Sequence, residues 1–324
     1  MNIVVTSIGS MSAACVISSL KKLGHFIVGT DIYPQEWHSE PLLCDKFYKI
    51  PLCIKANYIK TLKKIVFENQ INYIIPLTDI EIDVLDKNRH IFDTMGVIIC
   101  MPSHDVLKVV RDKFNLYNFF KFDNKVLMPK TFLASKFPKK KLPPLVAKPR
   151  NGRSSEGLFW INTPNDLQYI LNKENYIIQE KIVGTIITVD FIRNERSLKS
   201  IILPRKELLR TSNGAGITVE MFTGKKIVEI CNLIGTKLNI NGCVNFEFIH
   251  TNGLFYLIDI NPRFSAGIAF SHKIGYDLPK NHLFCFTKKN IDSQKPFNKQ
   301  IITKKHVEQV LQLSKKVYYD ELER

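Results

Sequence analysis

The stretch that most constrains this chain is residues 254–267, LFYLIDINPRFSAG. It opens as an alternating apolar run over 254–260, the pattern of a strand with one buried face, and Pro262 ends it because proline has no amide hydrogen for a ladder. Asp259, Asn261 and Arg263 are thereby delivered into one small volume at the strand end. A second strand pattern, residues 242–250, lies just upstream and carries Glu247. The turn His250-Thr251-Asn252-Gly253 joins the two, so an antiparallel hairpin with Glu247 beside Asp259 is expected. Carboxylate and amide oxygens are hard ligands suited to Mg²⁺, and a guanidinium beside them suits phosphate, so the cluster points to phosphoryl transfer. On the residues alone, the plainer alternative is a hairpin with a charged end, Asn-Pro being a common turn dipeptide.

The remaining composition narrows the class. With 324 residues, 45% hydrophobic and 23% charged, the chain is globular and long enough for two or three domains. No apolar run approaches the roughly 20 residues of a membrane span. The amino terminus MNIVVTSIGS enters a strand pattern directly, without a basic leader, so a cytoplasmic protein with no membrane association is expected. Seven cysteines, at 15, 44, 53, 100, 231, 243 and 285, form no CxxC pair and read as reduced, buried thiols. The net charge of +16 is spread along the chain, its one dense run being Pro138-Lys139-Lys140-Lys141. This describes a solvated surface that attracts small anions, with no nucleic-acid partner expected.

Taken in order, residues 1–105 alternate strands (3–6, 26–30, 73–77, 97–100) with helices (12–23, closed by Gly24, and 57–69), a βαβ rhythm that predicts a small parallel sheet covered on both faces. The loop TSIGSMS at 6–12 has one glycine where a dinucleotide fingerprint needs three, so NAD is not expected. A helix over 106–120 contains Arg111-Asp112-Lys113. The buried strand LVAKP at 145–149 is interrupted by Lys148, whose unpaired burial would be costly. The loop RNGRSSEG that follows offers free amides and hydroxyls to a phosphate. Thr163-Pro164 starts a helix reaching residue 171, and 176–184 is a strand running into a glycine turn. Antiparallel strands over 186–191 and 198–203 precede a basic, then glycine-rich segment at 204–216, and a helix over 225–238 leads to the hairpin. Helices to 274 and over 277–286 follow, with a closing helix over 303–318.

The pair VNFEFI and LIDINPRFSAG resembles the metal-binding end of the ATP-grasp superfamily, on its carbamoyl-phosphate-synthase-like, carboxylate-amine ligase branch. The resemblance, over residues 1 to about 287, implies an α/β fold. A Rossmann-like domain at 1–105 would precede an ATP-grasp domain at 106–290, with a small subdomain over about 113–183 and a large one over about 184–290, and a helical tail at 291–324 would follow. It implies ATP with Mg²⁺, or Mn²⁺, held by Glu247, Asp259 and Asn261, with Arg263 on the transferred phosphoryl group. Lys113 and Lys148 would meet the ATP phosphates, Arg153, Ser154 and Ser155 would belong to a covering loop, and Glu180, Lys181 and Ile182 to the hinge that holds adenine. Relatives usually carry Glu where Asp259 stands, so the metal should sit closer to this strand. The Glu that binds ribose in relatives is replaced here by Ile186 and Ile187, which leaves Asp190 as the nearest acid.

Arg205 and Arg210 would border the acceptor site and grip a substrate carboxylate or phosphate, or else be solvated surface residues. Thr78, Asp79 and Glu81 would face the substrate, or Asp79 would only cap a helix. The implied activity is formation of an acyl phosphate on a small-molecule carboxylate and its capture by an amine, in a homodimer. The alternative is a nucleotide-binding or sensor protein that has lost ligase activity.

Overall fold

The computed structural model describes residues 1–138, 144–152 and 156–311. Its amino-terminal part runs β1 (Asn2–Thr6), α1 (Ala13–Lys22), β2 (Phe26–Asp31), β3 (Lys46–Lys49), α2 (Tyr58–Glu68), β4 (Tyr73–Ile75), α3 (Asp79–Lys87), α4 (Arg89–Asp93) and β5 (Ile98–Ile99). The strands pair in parallel in the order β3-β2-β1-β4-β5. Alternation along each strand decides which helix covers which face. Val4, Val28 and Ile74 pack with Leu62 and Ile65 of α2 and Ile82 of α3. Ile3, Val5, Ile27 and Ile75 pack with Val16, Ile17 and Leu20 of α1. The half-exposed KFYK of β3 has no apolar alternation and gave no strand signal.

The single helix expected over 106–120 is two, α5 (His104–Val110) and α6 (Lys113–Phe120). Asp112 breaks it: its backbone is extended (φ −127°, ψ 112°) and its carboxylate accepts the amides of Phe114 and Asn115, which starts a new helix at Lys113. A second sheet follows, built from β6 (Thr131–Leu133), β7 (Leu145–Pro149), β8 (Phe159–Ile161) and β9 (Tyr176–Glu180) in the antiparallel order β6-β9-β7-β8. Between its last two strands lies α7 (Pro164–Leu171), opened by a reciprocal capping box of Thr163 and Asp166.

The third sheet comprises β10 (Thr185–Arg193), β11 (Ser200–Arg210), β12 (Gly216–Met221), β13 (Gly242–Thr251), β14 (Leu254–Asn261) and β15 (Gln300–Thr303). All its pairings are antiparallel, in the order β14-β13-β10-β11-β12-β15. Helix α8 (Lys225–Lys237) precedes β13, and α9 (Ile268–Lys273) and α10 (Leu278–Phe286) follow β14. The segment at 204–216 is therefore largely strand. The closing helix expected from residue 303 is corrected: Gln300–Thr303 pairs along the edge of β12, residues 304–311 are not helical, and 312–324 lie outside the described residues. An edge strand's free amides and carbonyls compete for a β-branched segment that an isolated helix would leave unpacked.

One face of this sheet is sealed by α8. Ile187, Val189 and Phe191 of β10 and Val244, Phe246 and Phe248 of β13 pack with Ile227, Ile230 and Ile234. Gly235 lets the helix approach, since a Cβ there would lie 2.2 Å from the Phe191 ring. Gly235→Ala should therefore destabilise the protein by about 1–3 kcal/mol through overpacking, despite alanine's better helix propensity. A denaturant midpoint equal to or above that of the parent would show that the ring yields at no cost.

Candidate active site

Residues two apart on a strand share a face, so the face of the third sheet opposite α8 can be read from its register. Arg205, Thr188, Glu247 and Asp259 form one row across β11, β10, β13 and β14, and Asp190, Asn245 and Asn261 form the next across β10, β13 and β14. Glu247 stands directly opposite Asp259, although a regular hairpin on this turn would set it opposite Ile258. The turn places both Asn252 (φ 48°) and Gly253 (φ 71°) in the left-handed region, the geometry that matches strand twist in a two-residue hairpin. Sequence alternation missed what comes next. Glu247 pairs with Asp259 but Phe248 pairs with Leu257, leaving Ile258 as the extra residue of a β-bulge. Without it Leu257 and Asp259 would share a face; the bulge sends Leu257 into the core beside Phe248 and turns Asp259 to the cleft.

The row opens into a cleft of about 1340 Å³ between the three sheets. From β7, Lys148 Nζ donates to the Ile258 carbonyl at 3.2 Å. From the start of α6, Lys113 Nζ lies 3.1 Å from Asp259 Oδ2 and donates to the Gly152 carbonyl at 2.8 Å. Just past β14, Arg263 donates from Nε to Asp79 Oδ2 at 2.7 Å and from Nη2 to Asn261 Oδ1 at 3.4 Å. Arg111 reaches the other oxygen of Asp79 at 3.2 Å. Burial would raise the Asp79 carboxyl, but the charges of Arg263 and Arg111 hold it below its ordinary value. Asp79 makes no capping bond: it anchors the end of the β13–β14 hairpin to the parallel sheet layer. Glu81 accepts hydroxyls from Thr6, Ser7, Thr78 and Tyr58, ties strand ends together, and is raised by burial in spite of those bonds.

Burial, followed by the facing charge of Asp259, pushes the Glu247 carboxyl above its ordinary value. Two carboxylates in register, with the Asn261 amide one residue-pair along, form an all-oxygen donor set whose mutual repulsion a divalent cation would relieve. Glu247, Asp259 and Asn261 therefore fit Mg²⁺, or Mn²⁺ with the same hard ligands.

Glu180, Lys181 and Ile182 line the same cleft, together with Val146, Trp160, Ile186 and Ile249. These last four form an apolar slot that sequence reasoning did not assign, although Val146, two residues from Lys148 on β7, was available from the strand period. Arg210 also lines the cleft and donates to the Gly214 carbonyl at 2.8 Å. Two expectations are corrected. Asp190 is fully buried, accepting Arg205 Nη1 at 2.8 Å and Ser271 Oγ at 2.6 Å, so it is no ribose ligand. Arg205, 2% exposed, gives its Nε to Glu207 at 3.1 Å and its Nη2 to Ser265 at 3.1 Å, so its charge is spent within the wall. Arg153, Ser154 and Ser155 lie outside the described residues.

Lys148 carries a testable pH dependence. Burial pulls its ammonium down to about 8, against the attraction of Asp259 and with the repulsion of Lys113. Below that value it is charged and attracts phosphate; above it the charge is lost. MgATP affinity should fall by roughly an order of magnitude between about pH 7 and pH 9, and Lys148→Met should bind weakly with a flat profile. Calorimetric titration across that range checks this, and a flat profile in the parent protein would contradict it.

Comparison with known proteins agrees with this geometry. The ATP-grasp domain family matches residues 110–267, and the family described as "PylC-like, N-terminal domain" matches residues 3–100. The D-alanine–D-alanine ligase of Petrotoga mobilis is 25% identical over 228 residues, covering 60% of this chain and 74% of that protein. The carbamoyl phosphate synthase large chain of Thermoplasma acidophilum is 22% identical over 301 residues, covering 84% of this chain but only 28% of that one. Among solved structures, the biotin carboxylase domain of Hydrogenobacter thermophilus 2-oxoglutarate carboxylase, crystallised with MgADP, superposes with a TM-score of 0.74 at 16% identity, over 90% of this chain and 71% of that one. The N5-carboxyaminoimidazole ribonucleotide synthetase of Thermotoga maritima superposes with a TM-score of 0.67 at 19% identity, over 93% and 79%. These structural likenesses establish the fold, an amino-terminal parallel α/β layer followed by the two antiparallel sheets of an ATP-grasp domain. With family matches to both parts and the paired acids in register, the chain belongs to the ATP-grasp superfamily, on its carbamoyl-phosphate-synthase-like, carboxylate-amine ligase branch.

Proposed function

We propose that the protein is an ATP-dependent ligase that converts a small-molecule carboxylate to an acyl phosphate, from which an amine displaces phosphate to form a carbon-nitrogen bond. The observation that carries this reading is the Glu247–Asp259 pair, set in register and facing Lys148 and Lys113 across the cleft with Arg263 at the strand end. ATP lies between the second and third sheets, its adenine between the hinge at Glu180, Lys181 and Ile182 and the slot of Val146, Ile186 and Ile249. Lys113 and Lys148 neutralise its phosphates. Glu247, Asp259 and Asn261 hold Mg²⁺, which when bound draws charge from the transferring phosphoryl oxygens.

Arg263, fixed by Asp79 through Nε, by the Phe264 carbonyl through Nη1 and by Asn261 through Nη2, keeps one further N–H on each Nη for that group. A carboxylate oxygen attacks the γ-phosphorus as its bond to the β–γ bridging oxygen breaks; the amine then attacks the acyl carbon and phosphate leaves. Such chemistry needs positioning and charge neutralisation rather than a side-chain nucleophile. The convergence of all these charges on one cleft favours a ligase over a protein that only binds nucleotide. We place the protein in the cytoplasm; no helix among the described residues is long and apolar enough to cross a membrane.

Purified protein with MgATP, tested against pooled amino acids, dipeptides and small carboxylic acids, should release ADP in a substrate-dependent way, and Asp259→Ala should abolish that release. Arg263→Ala should slow turnover about 10²- to 10³-fold with little change in the KM for ATP. Turnover equal to that of the parent would remove Arg263 from its assigned role. We also read the protein as a homodimer, the state of the Hydrogenobacter biotin carboxylase domain in its crystal structure. Sedimentation should then give twice the 37.4 kDa chain mass; a monomer at micromolar concentration would exclude it.

A further inference from the structure

The two walls of the cleft differ in charge. From residue 110 onward the lining mixes both signs, Lys113, Lys148, Lys181, Arg205, Arg210 and Arg263 standing with Glu156, Glu180, Glu207, Glu247 and Asp259. From the amino-terminal sheet it presents Asp31, Asp79 and Glu81 and, among the described residues, no lysine or arginine, in a chain whose net charge is +16. Asp79 is matched by two arginines and Glu81 by four hydroxyls. Asp31 is not neutralised. It ends β2, at the carboxyl edge where open parallel sheets take ligands, and is 5% exposed. Its carboxylate accepts the amides of Gly9 at 2.8 Å and Tyr33 at 3.1 Å, and no cationic side chain among the described residues pairs with it. A buried carboxylate on a cleft wall, held by two amides but by no cation, favours a cation.

Beside it stand two rings. Tyr33 and Trp37 stack with centroids 5.6 Å apart and planes 26° apart, and they remain 50% and 70% exposed while lining the same cleft. Exposed aromatic faces next to a carboxylate offer a cation both a counter-charge and a ring quadrupole. An anionic group would meet the unpaired Asp31 on this wall, where His38 is the one basic side chain among the described residues of the lining.

We propose that this amino-terminal wall is the subsite for a substrate bearing an ammonium or guanidinium group, held by Asp31 and the faces of Tyr33 and Trp37. The assignment rests on the ligase reading above and narrows its substrates to cationic, unphosphorylated molecules.

The test uses the full chain and phenethylammonium as probe, with phenethyl alcohol as the neutral control and ribose 5-phosphate as an anionic competitor, all by calorimetry, and with MgATP affinity measured alongside. The cation should bind about tenfold more tightly than the alcohol, and ribose 5-phosphate should not displace it. Asp31→Asn, which keeps an acceptor for Gly9, should erase the preference for the cation. Trp37→Leu, at a largely exposed position, should weaken cation binding severalfold and decides the matter if the Asp31 variant fails to fold. MgATP affinity should be the same in all three proteins. No preference for the cation, a preference that survives both substitutions, or displacement by ribose 5-phosphate would overturn the subsite. A parent protein that prefers the cation but does not bind MgATP would refute the ligase reading and leave the subsite standing.

Discussion

The site depends on one irregularity in the pairing of β13 with β14. Strand alternation alone would put Leu257 and Asp259 on the same face, so either a leucine would enter the cleft or an acid would enter the core. The extra residue Ile258 resolves the conflict, with Leu257 joining the core packed against α8 while Asp259 comes opposite Glu247. The carbonyl of Ile258 then accepts Lys148 from another sheet. One inserted residue thus sets the acid pair and gives the opposing lysine a fixed partner.

Holding these groups in place falls to ion pairs between distant parts of the chain. Asp79 belongs to the parallel sheet layer, Arg111 to the turn after α5 and Arg263 to the end of the β13–β14 hairpin, yet the three meet within hydrogen-bond distance. Being buried, the cluster resists loss of any member, because a remaining charge would be left uncompensated. The same logic holds Arg205 between Asp190 and Glu207. In both places an acid that could be taken for a ligand sets the position or charge of an arginine.

The cleft is therefore electrically divided. One wall, from residue 110 onward, carries every lysine and arginine of the described lining interleaved with five acids, while the acidic and aromatic wall comes from the parallel sheet layer. A net charge read from composition describes neither wall. It averages over a surface of dispersed lysines, whereas the local potential is set by which strand ends the fold brings together.

The amino-acid sequence by itself determined the βαβ layer, the β13–β14 hairpin, the lysine strand and the start of α7 at Thr163-Pro164, because each follows from local periods, turn residues and caps that act over a few positions, whereas the pairing of Glu247 with Asp259 needed the bulge at Ile258. Asp112 and the β-branched edge segment at 300–303 were also local, but competing patterns masked them: a continuous apolar period hid a cap, and a helical period hid a strand that pairs on the edge of β12. Only the tertiary structure decided that Asp190 serves Arg205 rather than ribose, that Arg205 faces inward, and that Asp79 holds Arg263 across 184 positions of chain. Such choices turn on which charges share a buried volume, and no property of a residue's sequence neighbours specifies the partner that the fold will bring to it.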